Sequence, residues 1–233
     1  MIESHNENII VHITEEYKSL FSILSERSLR LSFSSENFYF KDKAVSKAAH
    51  PMICFSEYNP KTINQERITY GSYGIGFSKK WARNNNIGPV LYVSQTSVAA
   101  KGMKELLTAR RKTKEGRLPR KLRLSIMEVK CFMKNEIGYN SFSGELDFDF
   151  KAENEWRYIP KKIAIDNYLI SQNQRTYLKN KDKHNEKLKK YPLQFNLNDI
   201  GLVYVSNKSE KIELSEKFGL EKEKIRISEW NKK

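Results

Sequence analysis

The chain has 233 residues, and 42 Lys+Arg against 28 Asp+Glu leave it at +14 at pH 7, a balance that suits a polyanionic or acidic partner. An aromatic share of 12% argues against a disordered chain, because such side chains need an interior. No apolar run approaches the ~20 residues that span a bilayer, the acidic start MIESHNENIIVHITEEY lacks the basic region of a signal peptide, and Cys54 and Cys131 are too few and too far apart for a disulfide framework or zinc knuckle. A cytoplasmic protein without membrane contact and with two buried thiols is expected.

In chain order, residues 8–13 (NIIVHI) are β-branched and apolar, which predicts a buried strand. Thr14 then offers an N-cap, with Glu15 and Glu16 in the first turn, and Tyr17, Leu20, Phe21 and Leu24 recur at helical spacing. The stretch 51–58 (PMICFSEY) predicts a second strand opened by a proline. Residues 70–77 (YGSYGIGF) place three glycines among aromatics, and Ser78 is positioned to cap a helix through Trp81 to Asn84. Asn84, Asn85, Asn86 and Gly88 mark its exit before a strand at 89–94 (PVLYVS).

From about 97 to 128 the composition turns helical and very basic. Strands follow at 155–159 (EWRYI) and 200–205 (IGLVYV), then an amphipathic end with Ile212, Leu214, Phe218 and Leu220. With neither repeat nor linker, the expectation is a single α+β domain over 1–233 with a central, mostly antiparallel sheet and the basic helical segment 97–128 inserted.

Several chemistries lack their residues. His5, His12, His50 and His184 show no ligand spacing, so no metal is expected. No G-x-S-x-G elbow is present, and the glycines of 71–76 match neither a P-loop nor a dinucleotide fingerprint, which leaves them a role in a tight strand or bend. In a strand, Glu153 and Glu155 share a face, as does Arg157. Two carboxylates so placed form either an acid/base pair or part of an ordinary ion-pair network. His12 and Thr14 also share a strand face, where the histidine is either a satisfied core residue or a ligand-binding one.

Segment 101–123 holds ten Lys/Arg against Glu105 and Glu115. Arg110, Arg111, Lys112, Lys114, Arg117, Arg120, Lys121 and Arg123 are its candidate nucleic-acid contacts, directed at phosphate because aromatics for base stacking are sparse. A second run, 175–190, has seven Lys/Arg and two acids. Either run is alternatively a solvated helix face or a loop.

The blocks VHITEEYKSLFSILSERSLRLSFSSENF, PMICFSE, YGSYGIGFSKKWARNNNIGPVLYV, ENEWRYIP and NDIGLVYVSNKSEKIEL, spanning about residues 8–215, resemble the AbiGi family of phage abortive-infection proteins. That resemblance implies an antitoxin-type role in a two-gene defence system, with nucleic acid or a cognate toxin or defence protein as partner. A fainter resemblance, carried by His-x-Thr on the first strand and Glu-x-Glu before Trp156, is to ADP-ribosyltransferases of the DarT type. It implies a transferase-like fold using NAD as substrate to modify nucleic acid or protein. Glu155 would be the catalytic carboxylate beside a cationic sugar transition state, and Glu153 would orient or deprotonate the acceptor. His12 and Thr14 would hold NAD, with Ser56 and Tyr73 as further contacts. The alternative is a non-catalytic antitoxin that binds a toxin or DNA through its basic surfaces.

Overall fold

The computed structural model describes residues 7–141 and 143–230, so His5 lies outside the described residues. The chain begins with β1 (Ile9–Thr14) and α1 (Tyr17–Glu26), the short β2 (Ser28–Leu29), and a long hairpin of β3 (Ser32–Phe40) and β4 (Lys43–Tyr58). Next come β5 (Tyr73–Ser78), α2 (Lys79–Asn84), β6 (Ile87–Pro89), β7 (Leu91–Val93), α3 (Val98–Arg111) and α4 (Arg120–Cys131). The strands β8 (Met133–Asn135), β9 (Ile137–Gly138), β10 (Phe148–Asp149), β11 (Glu155–Tyr158) and β12 (Gln172–Asn173) follow. The chain then forms α5 (Gln174–Lys179), α6 (Lys181–Glu186), β13 (Leu193–Gln194), β14 (Ile200–Val205), α7 (Lys208–Phe218) and β15 (Ile225–Ile227).

The main sheet runs β15-β14-β5-β1-β4-β11-β6, with β3 and β12 joined to the far end of β4. All its pairings are antiparallel except β14 with β15. The fold is the expected α+β class with a mostly antiparallel sheet. The 16 residues of β4 exceed what one partner can cover. Its first part pairs β3 and β12, and its last part pairs β1 and β11.

Strand alternation divides the sheet into two faces. Ile10, Phe55, Phe77 and Trp156 lie on one, under α1, α2 and α7, in the larger apolar cluster. Phe77 stacks on Trp81 of α2 at 4.0 Å between centroids. Val11, Leu202 and Tyr204 lie on the other face, with Tyr58, Ile63 and Trp230. The glycines of β5 belong here. A Cβ on Gly74 would come within 2.8 Å of Val11 Cγ1, and one on Gly76 within 2.7 Å of Ile9 Cδ1.

Gly71 is more constrained still, with φ +139 and only 2.1 Å between an added Cβ and the Thr14 carbonyl oxygen. The tight-strand role expected of these glycines is the one they have.

Several boundaries differ from expectation. Strand β1 continues through Thr14, whose hydroxyl donates to the Glu16 carbonyl, and Glu16 is the N-cap of α1. Pro51 sits inside β4 opposite Phe33 rather than opening the strand. The expected strand 89–94 is two pieces with different partners, β6 on β11 and β7 on β8. Segment 97–128 is two helices separated at 112–119, where Gly116 takes φ +67 and Pro119 precedes α4. Ser78 does cap α2, accepting from Trp81 N at 3.1 Å. Cys131 is buried and Cys54 half-buried, both as free thiols.

Candidate functional site

Glu153 and Glu155 converge, though not by sharing a strand. Glu153 ends a 3-10 turn (Phe150–Glu153), Asn154 takes the left-handed conformation at φ 42, and Glu155 opens β11. The kink brings both carboxylates to Lys134 of β8, at 2.9 and 3.1 Å from its Nζ. Arg157, two residues on and fully buried, turns back along the same face. Its Nε and Nη2 donate to the two oxygens of Glu155 at 2.7 and 3.0 Å. Nη1 donates to Glu36 Oε2 at 3.0 Å and to the Cys131 carbonyl at 2.6 Å, and Nη2 also meets Glu36 Oε1.

Lys130 of α4, also buried, adds a cation 3.9 Å from Glu36. Three acids (Glu36, Glu153, Glu155) therefore face three bases (Lys130, Lys134, Arg157), and the charges cancel. Tyr70 donates its hydroxyl to Glu153, the Phe150 ring lies 4.0 Å from Lys134 Nζ, and the Tyr92 hydroxyl accepts from Glu155 N at 2.8 Å.

Burial by itself would raise the Glu155 carboxyl, yet Arg157 and Lys134 outweigh it and hold the group at about 2. For Lys134 the same balance runs the other way: burial lowers it, Glu155 and Glu153 raise it more, and it stays charged. His50 sits against this cluster, fully buried, with Nδ1 on the Ile170 carbonyl at 3.2 Å. Burial and then the Lys130 charge pull it down to about 4. Its Nε2 has no hydrogen-bond partner among the described residues.

The residues that the transferase resemblance assigns to NAD do not all share one face of the sheet. Thr14 pairs Tyr73 across β1 and β5, and His12 lies on the same face. His12 packs edge-on against Phe55 and bonds the Cys54 carbonyl through Nδ1 at 2.8 Å, just past the point where β1 and β4 stop pairing. Ser56 pairs Glu155 on the opposite face, with Glu153 beside it. Tyr73 gives its hydroxyl to Glu210 of α7 at 3.1 Å. The sheet thus separates His12, Thr14 and Tyr73 from Ser56, Glu153 and Glu155.

The basic residues occupy α3, α4 and the turn between them. Ser97 caps α3, accepting from Ala100 N at 3.1 Å, and Ala100, Met103 and Leu107 face the core. Arg111, Lys112, Lys114, Arg117, Arg120 and Lys121 are exposed, while Arg110 and Arg123 are half-buried. Of the ten cations in 101–123, Lys104 is the one ion-paired among the described residues, to Glu105. Opposite the buried stripe of α3 lie Val98, Gly102 and Leu106 at four-residue spacing. Val98 is 86% exposed and Leu106 46%, and nothing lies within 4 Å of a Cβ built on Gly102. Leu122 and Val129 of α4 are exposed as well.

A sequence-family profile described as "Putative abortive phage resistance protein AbiGi, antitoxin" matches residues 26–206. The chain belongs to the AbiGi family. Membership implies an antitoxin-type part in abortive phage resistance, and with it a cognate toxin. The AbiGi match spans the whole charge cluster and both basic helices, whereas His12 and Thr14 precede it. No curated protein and no solved structure matches this AbiGi chain. Among its described residues no helix is long and apolar enough to cross a membrane, and no group of three or more His, Cys, Asp and Glu is placed to hold a metal ion.

Glu36, Lys130 and Lys134 were not singled out by sequence reasoning. Their one signal is a pair of lysines interrupting an apolar run in VKCFMK (residues 129–134), since a lysine packed among apolar neighbours needs a buried acid.

Proposed function

We propose that this AbiGi chain acts by binding rather than catalysis, holding its cognate toxin through the outer face of α3 and the adjoining flank of α4. The observation that carries the reading is the mixed character of that surface. Val98, Leu106, Leu122 and Val129 are exposed on the same two helices as Lys101, Arg120 and Lys121. A surface built for a phosphate backbone gains nothing from exposed aliphatic side chains. A protein interface uses them as a desolvated centre with charge at the rim. The occupant it fits is an acidic protein surface with an apolar patch at its middle.

The carboxylates support the same conclusion. A catalytic Glu beside a sugar cation must present free negative charge to the substrate. Glu155 spends both oxygens on Arg157 and one of them also on Lys134. Releasing it would leave buried cations uncompensated.

The test is co-expression with its cognate toxin, scored by co-purification and by growth rescue. Val98→Glu and Leu106→Glu, both at exposed positions, are expected to remain folded and to lose capture and rescue together. Retention of both by the double variant would overturn the proposed surface. A parallel assay of NAD consumption, with RNA, DNA and lysate as acceptors, distinguishes the catalytic alternative. Turnover abolished by Glu155→Gln in a protein that remains folded would replace the binding reading with a transferase.

A further inference from the structure

On the other side of α3 from the proposed toxin surface, its last turn closes a small cavity with a cationic wall, lined by Ser46, Lys47, Arg110, Arg111, Gln172 and Asn173 among others, and a larger cavity lies elsewhere in the molecule.

 The two cavities are separate. The larger, about 480 Å³, lies between α1, α2 and the 194–199 segment, and the carboxylates Glu26 and Asp199 are part of its wall. The smaller, about 230 Å³, lies between β4, β12 and the carboxyl end of α3, and none of its lining residues is an acid.

We propose that this smaller cavity is a binding site for a single phosphoryl group, carried by a small phosphate ester or by a nucleic-acid backbone. Three cations surround it without a counterion. Lys47 and Arg111 are exposed at its mouth and Arg110 is half-buried, and none of the three is ion-paired among the described residues. Arg110 Nε donates to the Arg123 carbonyl at 3.1 Å, which brings a fourth cation close, and Arg123 buries its own Nε without a hydrogen-bond partner among the described residues.

Burial foremost, and then the charges of Arg123 and Arg111, depress Arg110. The carboxyl end of α3 contributes roughly half a negative charge, too little to balance this group. Ser46, Gln172 and Asn173 supply neutral polar groups around the same space. Its volume is below the ~300–1,000 Å³ of pockets that enclose whole drug-sized ligands, so it fits one phosphoryl group and leaves the remainder of the ligand outside. This site is distinct from the outer face of α3, and neither proposal depends on the other.

The test is isothermal titration of the full chain with inorganic phosphate, with a nucleoside 5′-monophosphate and with a 20-base-pair duplex, each at constant ionic strength set with chloride. Saturable phosphate binding is expected. A charge-assisted contact is worth ~1.5–3 kcal/mol, so Lys47→Gln and Arg111→Gln should each weaken it about tenfold or more. Lys114→Gln, which removes the same charge in the exposed turn, should leave it unchanged. The monophosphate losing affinity in the pocket variants identifies a small ester as the source, and the duplex losing it identifies a nucleic-acid backbone. No binding above the chloride control, or an equal loss in Lys114→Gln, would overturn the site.

Discussion

Replacing Glu155 by Gln keeps the shape of the side chain but leaves three cations, the buried Lys130 and Arg157 and the half-buried Lys134, facing two acids. The cost can be worked from the charge balance. Glu155 ionises at about 2 in the folded protein against its ordinary 4.5, and a pKa unit is ~1.4 kcal/mol, so its charge contributes on the order of 3 kcal/mol at neutral pH. Breaking a buried pair by removing one partner typically costs ~3–5 kcal/mol, which agrees. Lys134→Met should cost a similar amount, because it leaves Glu153 without its cation and Glu155 with Arg157 alone.

The double variant returns the cluster to two acids and two bases. It should therefore be less destabilised than the sum of the single variants by about 2 kcal/mol. Urea unfolding at pH 7, followed by tryptophan fluorescence, measures all four corners of this cycle. Additivity within ~0.5 kcal/mol would refute the view that these charges act as one neutral unit. The sign with pH follows from the same depression. The stability Glu155 supplies is complete above pH 4.5 and is lost as pH falls from there towards 2.

His50 should act at higher pH. It is held neutral when folded, at about 4, while the unfolded chain takes up its proton near 6.5. Wild-type stability should therefore fall as pH drops from 6.5 to 4, and His50→Gln should flatten that limb of a urea-midpoint profile. An unchanged slope would show that His50 is not the group responsible. Two glycine substitutions should diverge. Gly71→Ala forces a Cβ onto the Thr14 carbonyl oxygen at a positive φ and should cost more than ~2 kcal/mol, whereas Gly102→Ala, on an open helix face, should stabilise by up to about 1 kcal/mol. Thermal unfolding of the two proteins checks both signs.

The local chemistry of the chain was readable where one short segment contains its own cause. The β-branched run before His12 makes β1, the Ser78 hydroxyl caps α2, and the glycines at 74 and 76 sit where a neighbouring strand's side chains fill the space above them. The pairing of Glu153 with Glu155 was also legible, although the route to it is a 3-10 turn and a left-handed Asn154 instead of one strand. Thr14 misled because a hydroxyl before two glutamates looks like a cap whether or not the strand continues through it.

What a sequence segment determines by itself here is the class of the fold, the position of most strands, and the basic character of 101–123. Tertiary structure alone decided what the charges do. Glu36, Lys130, Lys134 and Arg157 come from segments up to 121 residues apart, and no spacing rule connects them. Their meeting depends on which strand lies beside β4 and on which face each side chain leaves. The same alternation puts His12 and Glu155 on opposite sides of one sheet. A residue's type sets what it is able to do, and the sheet's pairing sets which partner it meets, because the Coulomb attraction that neutralises Glu155 acts only across the few ångströms that folding closes.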